Sequence, residues 1–162
     1  MMHVMRRLSI IFLATLTIAA CVATPKGIRV ARVVDGDTIE VTLSDGAKEK
    51  VRIIGIDTPE IVDPRKPVQC FGHEASARMK ELVDGRAVEL QKNPSEDRDK
   101  YGRLLRYIDL EGDDIGAQMI REGYAFSYKA FAHPRLEQYN ALERDARNAK
   151  RGLWGPACGG RR

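Results

Sequence analysis

Residues 51–60 read VRIIGIDTPE, and the rest of the chain is organised around them. An apolar strand with one cation, Arg52, runs into a turn that bears Asp57, Thr58 and Glu60. Pro59 fixes its own φ and pushes Thr58 out of the helical region, so the backbone is held in a defined bend. Two carboxylates and a carbonyl on a rigid bend, beside a guanidinium, are groups that suit a hard cation and a phosphate.

Upstream, residues 28–43 read IRVARVVDGDTIEVTL. Ile39, Val41 and Leu43 alternate with Thr38, Glu40 and Thr42, the period of a half-buried strand. Asp35-Gly36 between two apolar runs signals a hairpin and leaves Asp37 at the mouth of the second strand. Ser44-Asp45-Gly46 gives a second turn, and Lys48 to Asp57 returns as a third strand of an antiparallel meander. Asp37 begins strand two and Asp57 ends strand three, so strong curling or barrel closure is expected to be needed to bring them together. Arg52 and Asp57 have opposite strand parity, which predicts a bulge or twist between them, with Gly55 its candidate.

Downstream, residues 61–71 form a charged loop containing Pro64, Arg65, Lys66 and Pro67. Gly72 to Asp84 reads as a helix, with Ala75, Met79, Leu82 and Val83 on one stripe and Gly85 ending it. A strand at Arg86–Gln91, a turn DKYGR at Asp99–Arg103 and a strand at Leu104–Leu110 follow. A second helix is capped by Asp113 or Asp114 and ends at Gly123. The aromatic segment Tyr124, Phe126, Tyr128, Phe131 precedes a third helix, with Pro134 in its first turn and Gly152 as its stop. At least two of those four rings are expected to pack the third helix onto the barrel. Five strands and three helices, with a helix between strands three and four, predict an α+β domain built on a small closed Greek-key barrel.

The N-terminus has export anatomy: Arg6 and Arg7, an apolar run from Leu8 to Ala20, then Cys21. The run is shorter than the roughly 20 apolar residues that cross a bilayer, so residues 1–20 read as a signal peptide. Ile18-Ala19-Ala20-Cys21 resembles a lipoprotein cleavage box, which favours lipidation at Cys21 over plain cleavage near Ala20 or Ala23 and predicts an envelope-anchored or secreted protein. A linker at 21–26, a domain at 27–156 and a tail at 157–162 follow. Loss of the signal lowers the formal charge from +4 to +2, so any polyanion site must be local. In an exported chain the remaining pair, Cys70 and Cys158, reads most simply as a disulfide; free thiols are the alternative. By loop entropy such a bond is worth about 4 to 5 kcal/mol.

Taken singly, Asp-Gly-Asp is a turn, a strand arginine is a surface residue and Tyr-Gly-Arg is a hairpin. Together and in this order, VVDGDTI, VRIIGIDTPE and DKYGR, with FGHEAS and GLW, resemble the thermonuclease family of calcium-dependent secreted nucleases. The resemblance runs from about Ile28 to Trp154. It implies a five-stranded OB-fold barrel with three helices. Asp37, Asp57 and the Thr58 carbonyl match the Ca²⁺ ligands, Glu60 the acid that activates water, and Arg52 and Arg103 the phosphate-binding arginines. Tyr101 resembles a tyrosine near the substrate nucleotide. Tyr128 stands in imperfect register with others, and Lys66 is a further substrate-contact candidate. The implied activity is low-specificity endonucleolytic hydrolysis of DNA and RNA by a monomer. Zinc does not suit a cluster without histidine or thiolate; His73 and His133 read as surface or helix-start residues. Two rival readings are a non-catalytic OB-fold module that binds nucleic acid and a structural envelope lipoprotein.

Overall fold

The computed structural model describes residues 27–61, 67–93 and 95–161. The signal peptide, the linker with Cys21, and Lys66 lie outside the described residues. Strands β1 (Ile28–Val33), β2 (Thr38–Thr42) and β3 (Lys48–Ile53) form the antiparallel meander, and β4 (Ile56–Asp57) follows a turn. Then come α1 (Gly72–Val83), β5 (Ala87–Lys92), β6 (Leu104–Leu110) and β7 (Asp113–Asp114). The chain continues through α2 (Ile115–Glu122), β8 (Phe126–Ser127), α3 (Leu136–Asn148) and a 3₁₀ turn at Gly152–Trp154.

The main sheet runs β3-β2-β1-β5-β6-β7, and a parallel pairing of β3 with β6 closes its first five strands into a barrel. The expected OB-fold with three helices is therefore what the chain adopts. Alternation along β2 points Ile39 and Val41 into the barrel, where they meet Val30, Val51, Ile53, Val88 and Ile108. The stripe Ala75, Met79, Leu82 and Val83 seals α1 against that core. Asp114 caps α2 by accepting from the Ala117 amide at 2.9 Å, and Gly123 ends it in the left-handed region at φ 83.

Three details differ from the expectations. Every residue of β6 is buried, Arg106 and Asp109 included, because helices cover the outer face of this strand. Arg106 is paired with Asp97, and Asp109 with Arg135, so neither charge is left unpartnered. The third helix stops at Asn148, ahead of Gly152, and Pro134 lies before its first turn. His133 is neither exposed nor a helix-start residue: it is 8% exposed, with Nδ1 3.0 Å from the Tyr107 hydroxyl. It is buried because the segment before α3 folds back beneath the Gly55 turn.

Of the aromatic segment, Phe126 is buried edge-on against Trp154, and Tyr124 stacks on Phe71. Cys70 and Cys158 are disulfide-bonded, tying the start of α1 to the C-terminal tail. Among the described residues no helix is long and apolar enough to cross a membrane.

Gly55 is required where it stands. Its φ is +78°, and an added Cβ would lie 2.5 Å from the His133 ring and 2.9 Å from Tyr139. Left-handed strain and overpacking together should make Gly55→Ala less stable by about 2–4 kcal/mol, read from denaturant unfolding.

Candidate active site

The β2–β3 hairpin assembles the acidic half of the site. Thr38 stands opposite Arg52, and the Ile53 amide donates to the Asp37 carbonyl at 2.9 Å. This corrects the expectation that only curling or barrel closure could unite Asp37 and Asp57. In an antiparallel pair the start of one strand always flanks the end of the next, so the hairpin alone is sufficient. Beyond Ile53 the chain turns at Ile54–Gly55 and resumes as β4, which pairs with β8 through Ile56 opposite Ser127. That turn reverses the side-chain parity and aims Asp57 back toward Arg52. Gly55 is thus the expected break, as a full turn rather than a bulge.

One guanidinium nitrogen, Arg52 Nη2, lies 3.1 Å from Asp37 Oδ2 and 3.7 Å from Asp57 Oδ1. The other, Nη1, donates to the Ile53 carbonyl at 2.6 Å. Asp37 is buried, and its carboxylate is oriented by the Thr58 amide at 3.1 Å and the Thr38 hydroxyl at 3.1 Å. Gly36 lets the two turns touch, since a Cβ there would meet the Thr58 side chain at 2.8 Å.

Arg103 reaches the same place from the other side of the barrel. It precedes β6, and its Nη1 donates to Thr38 Oγ1 at 3.3 Å. Thr38 therefore links Arg103 to Asp37 through one hydroxyl. Glu60 follows the Pro59 bend, and its carboxylate accepts from the Ile61 amide at 2.9 Å. Asp37, Arg52, Asp57, Thr58, Glu60 and Arg103 all line one polar pocket of about 370 Å³. A larger neighbouring cleft of about 640 Å³ shares Arg52, Asp57 and Arg103 and also contains Tyr101 and Tyr128. Tyr101 is 72% exposed, with Lys100 and Arg103 over its ring. The Tyr128 ring meets Phe131 edge-on at 5.4 Å, and its amide donates to the Gly55 carbonyl at 2.8 Å.

Three residues at the site carry no role in the sequence reading. Asp35 lines the pocket and accepts from the Asp37 amide at 3.0 Å. Burial, then the neighbouring Asp37, push its carboxyl up to about 6. Asp99 clamps Arg103, accepting from its Nε and Nη2 at 2.7 Å each, while its second oxygen accepts from the amides of Tyr101 and Arg103. The spacing Asp99-x₃-Arg103 within DKYGR was the available signal. Gln69 lines the pocket and bonds the Glu60 backbone; nothing in a charged loop marks it in advance.

The donor set fits a hard cation that takes few protein ligands. Asp37 and Asp57 already share a cationic group, the Arg52 guanidinium. Among the described residues no group of three or more His, Cys, Asp or Glu side chains is arranged to hold a metal. Oxygen donors of the kind that Asp37 and Asp57 bring to the pocket suit a hard cation completed by water and phosphate, and among the described residues no thiolate or imidazole lines it.

Burial opposes ionisation of Asp99, yet hydrogen bonds from the Arg103 side chain and from the two amides outweigh it and hold the carboxyl below its ordinary range. A depressed folded value means that this contribution to stability is present above the ordinary carboxylate range and is lost as pH falls through the folded value. A carbon-detected NMR titration should place the Asp99 midpoint below that of a free aspartate. Arg103→Ala should move it upward; an unchanged midpoint would show that the clamp is not electrostatic.

The family model described as staphylococcal nuclease homologue matches residues 50–156. Over 125 residues the chain is 37% identical to endonuclease YncB of Bacillus subtilis (strain 168), which covers 76% of this chain and 59% of that protein. It is 38% identical over 125 residues to the SPbeta prophage-derived endonuclease YokF of the same strain, covering 76% and 42%. It is 37% identical over 129 residues to the thermonuclease of Staphylococcus intermedius, covering 77% and 74%. The chain thus spans about half the length of the two Bacillus relatives. The barrel, the match over most of its length and these identities agree: the chain belongs to the staphylococcal nuclease family.

Proposed function

We propose that this chain is an exported, calcium-dependent endonuclease that hydrolyses phosphodiester bonds of DNA and RNA with low sequence specificity. The observation that carries the reading is the convergence of two arginines, two aspartates, a threonine and a glutamate on one polar pocket beside an aromatic cleft. The names of the three relatives, two endonucleases and a thermonuclease, support it. Export is supported by a disulfide, which persists in oxidising compartments. Lipid attachment at Cys21 is part of the proposal.

Asp37, Asp57 and the Thr58 carbonyl would hold Ca²⁺, which when bound draws in a phosphodiester and offsets charge building at phosphorus. Glu60, at the rim of the pocket, takes the proton of an attacking water. Arg52 and Arg103 give paired hydrogen bonds to phosphate oxygens, and both grip the developing charge more tightly than the resting substrate. Both arginines rest on carboxylates, Arg52 on Asp37 and Asp57, and Arg103 on Asp99. Tyr101 and Tyr128, with Lys66, contact the nucleotides flanking the scissile bond, the rings by stacking.

Single-stranded DNA should be cut with calcium at neutral to alkaline pH and left intact with a chelator; DNA uncut under both conditions refutes the reading. Arg52→Ala and Arg103→Ala should each lower turnover by about 10²- to 10³-fold with little unfolding. Glu60→Gln should lose roughly 10²- to 10⁴-fold in rate while calorimetry still shows calcium bound. Loss of calcium binding in Glu60→Gln would reassign that residue as a ligand.

A further inference from the structure

Glu60 has to face the attacking water, and the Pro59 bend is not all that holds it. Gln69 also holds the Glu60 backbone. The Glu60 amide donates to Gln69 Oε1 at 2.8 Å, and the Gln69 amide donates back to the Glu60 carbonyl at 2.9 Å. A side chain and a backbone thus bracket one residue from both ends.

The bracket is itself anchored at each following residue. Cys70 is bonded to Cys158, which is 1% exposed in a tail that folds back through Gly160 N–H donating to the Leu153 carbonyl at 2.8 Å. Phe71, at φ 69, stacks on Tyr124 with ring centroids 5.4 Å apart. Gly72 opens α1 against the bend so closely that a Cβ would lie 2.4 Å from Ile61 Cγ2 and 3.1 Å from the Pro59 carbonyl. A plain stability staple needs none of this. Its value depends on loop length, and at a sequence separation of 88 it could have closed at many other places. Here it closes one residue from the group that holds Glu60.

We propose that Gln69 is a positioning residue for Glu60 and that the Cys70–Cys158 disulfide anchors it, so that turnover depends on that bond being oxidised. The inference rests on the nuclease reading. Arg52 and Arg103 are held by β3 and by the turn before β6, independently of the bracket, so substrate grip is not affected. Only proton removal is affected, and misplacing a reacting group by about 1 Å costs on the order of 10²-fold.

The test measures kcat and KM on single-stranded DNA with calcium, and hydrogen exchange at the Glu60 amide by NMR. Gln69→Met keeps the stem but removes the acceptor. It should lower kcat by about 10- to 100-fold with KM nearly unchanged, and it should speed exchange at Glu60. Gln69→Glu keeps an acceptor and should restore most of kcat at alkaline pH. The double variant Cys70→Ser, Cys158→Ser should show the same loss of kcat. Dithiothreitol, itself oxidised to its cyclic disulfide as the two thiols form, should reproduce that loss in the wild type and add nothing in the double variant. Wild-type kcat in the folded double variant, with only a lower Tm, would reduce the bond to a staple; wild-type kcat and exchange in Gln69→Met would overturn the clamp. An inactive wild type would overturn the nuclease reading instead, and exchange at Glu60 would still decide whether Gln69 holds it.

Discussion

Arg52 lies at the seam where the barrel closes. Its strand pairs antiparallel with β2, opposite Thr38, and parallel with β6, opposite Leu105. Asp37 precedes Thr38, and Arg103 stands just before β6, so both neighbours of the seam deliver a charged group to the same rim. Buried backbone amides and carbonyls must be paired, and the ladder that pairs them fixes the register. Side-chain attraction does not gather these residues. The β2–β3 register brings Asp37 to Arg52, the β3–β6 closure brings Arg103, and the electrostatics follow.

Those electrostatics are self-compensating. Arg52 rests on Asp37 and Asp57, Arg103 on Asp99, and Arg106 on Asp97. An unpaired charge at these half-buried positions would cost several kcal/mol, so each cation folds with a carboxylate already beside it. Asp35 is held differently: burial and the neighbouring Asp37 push its carboxyl upward, toward the neutral form. The clamps on Arg103 and Glu60 serve a different end. They remove side-chain and backbone freedom before any ligand arrives, so that freedom need not be lost on binding.

The scaffold around the site is held by polar contacts as well as by the apolar core. Arg135 lies over the Tyr107 ring at 4.1 Å and pairs with Asp109 and Asp114. Asp114 also receives the Tyr139 hydroxyl at 2.9 Å. This network fixes the start of α3 against β6 and β7, and with it His133, the floor beneath Gly55. The turn that aims Asp57 is thereby supported from below by the third helix.

Much of the fold was legible in the sequence, because period-two alternation, the Asp-Gly and Gly turns and the helix stripe are local properties. They determined β2, β3, α1, a cap at Asp113 or Asp114, and the break at Gly55. Six of the residues that line the pocket were also legible, though through the resemblance of three motifs and not through any geometry the motifs contain. Tertiary structure alone decided the rest. The meeting of Asp37 with Asp57 follows from hairpin register, and the complete burial of β6 from helices packed across it. The service of Asp99 and Gln69 to an arginine and a glutamate follows from contacts between turns. Local sequence encodes which groups a segment can present; which partner each of them meets is set by strand register, by barrel closure and by contacts between turns, none of which one segment contains.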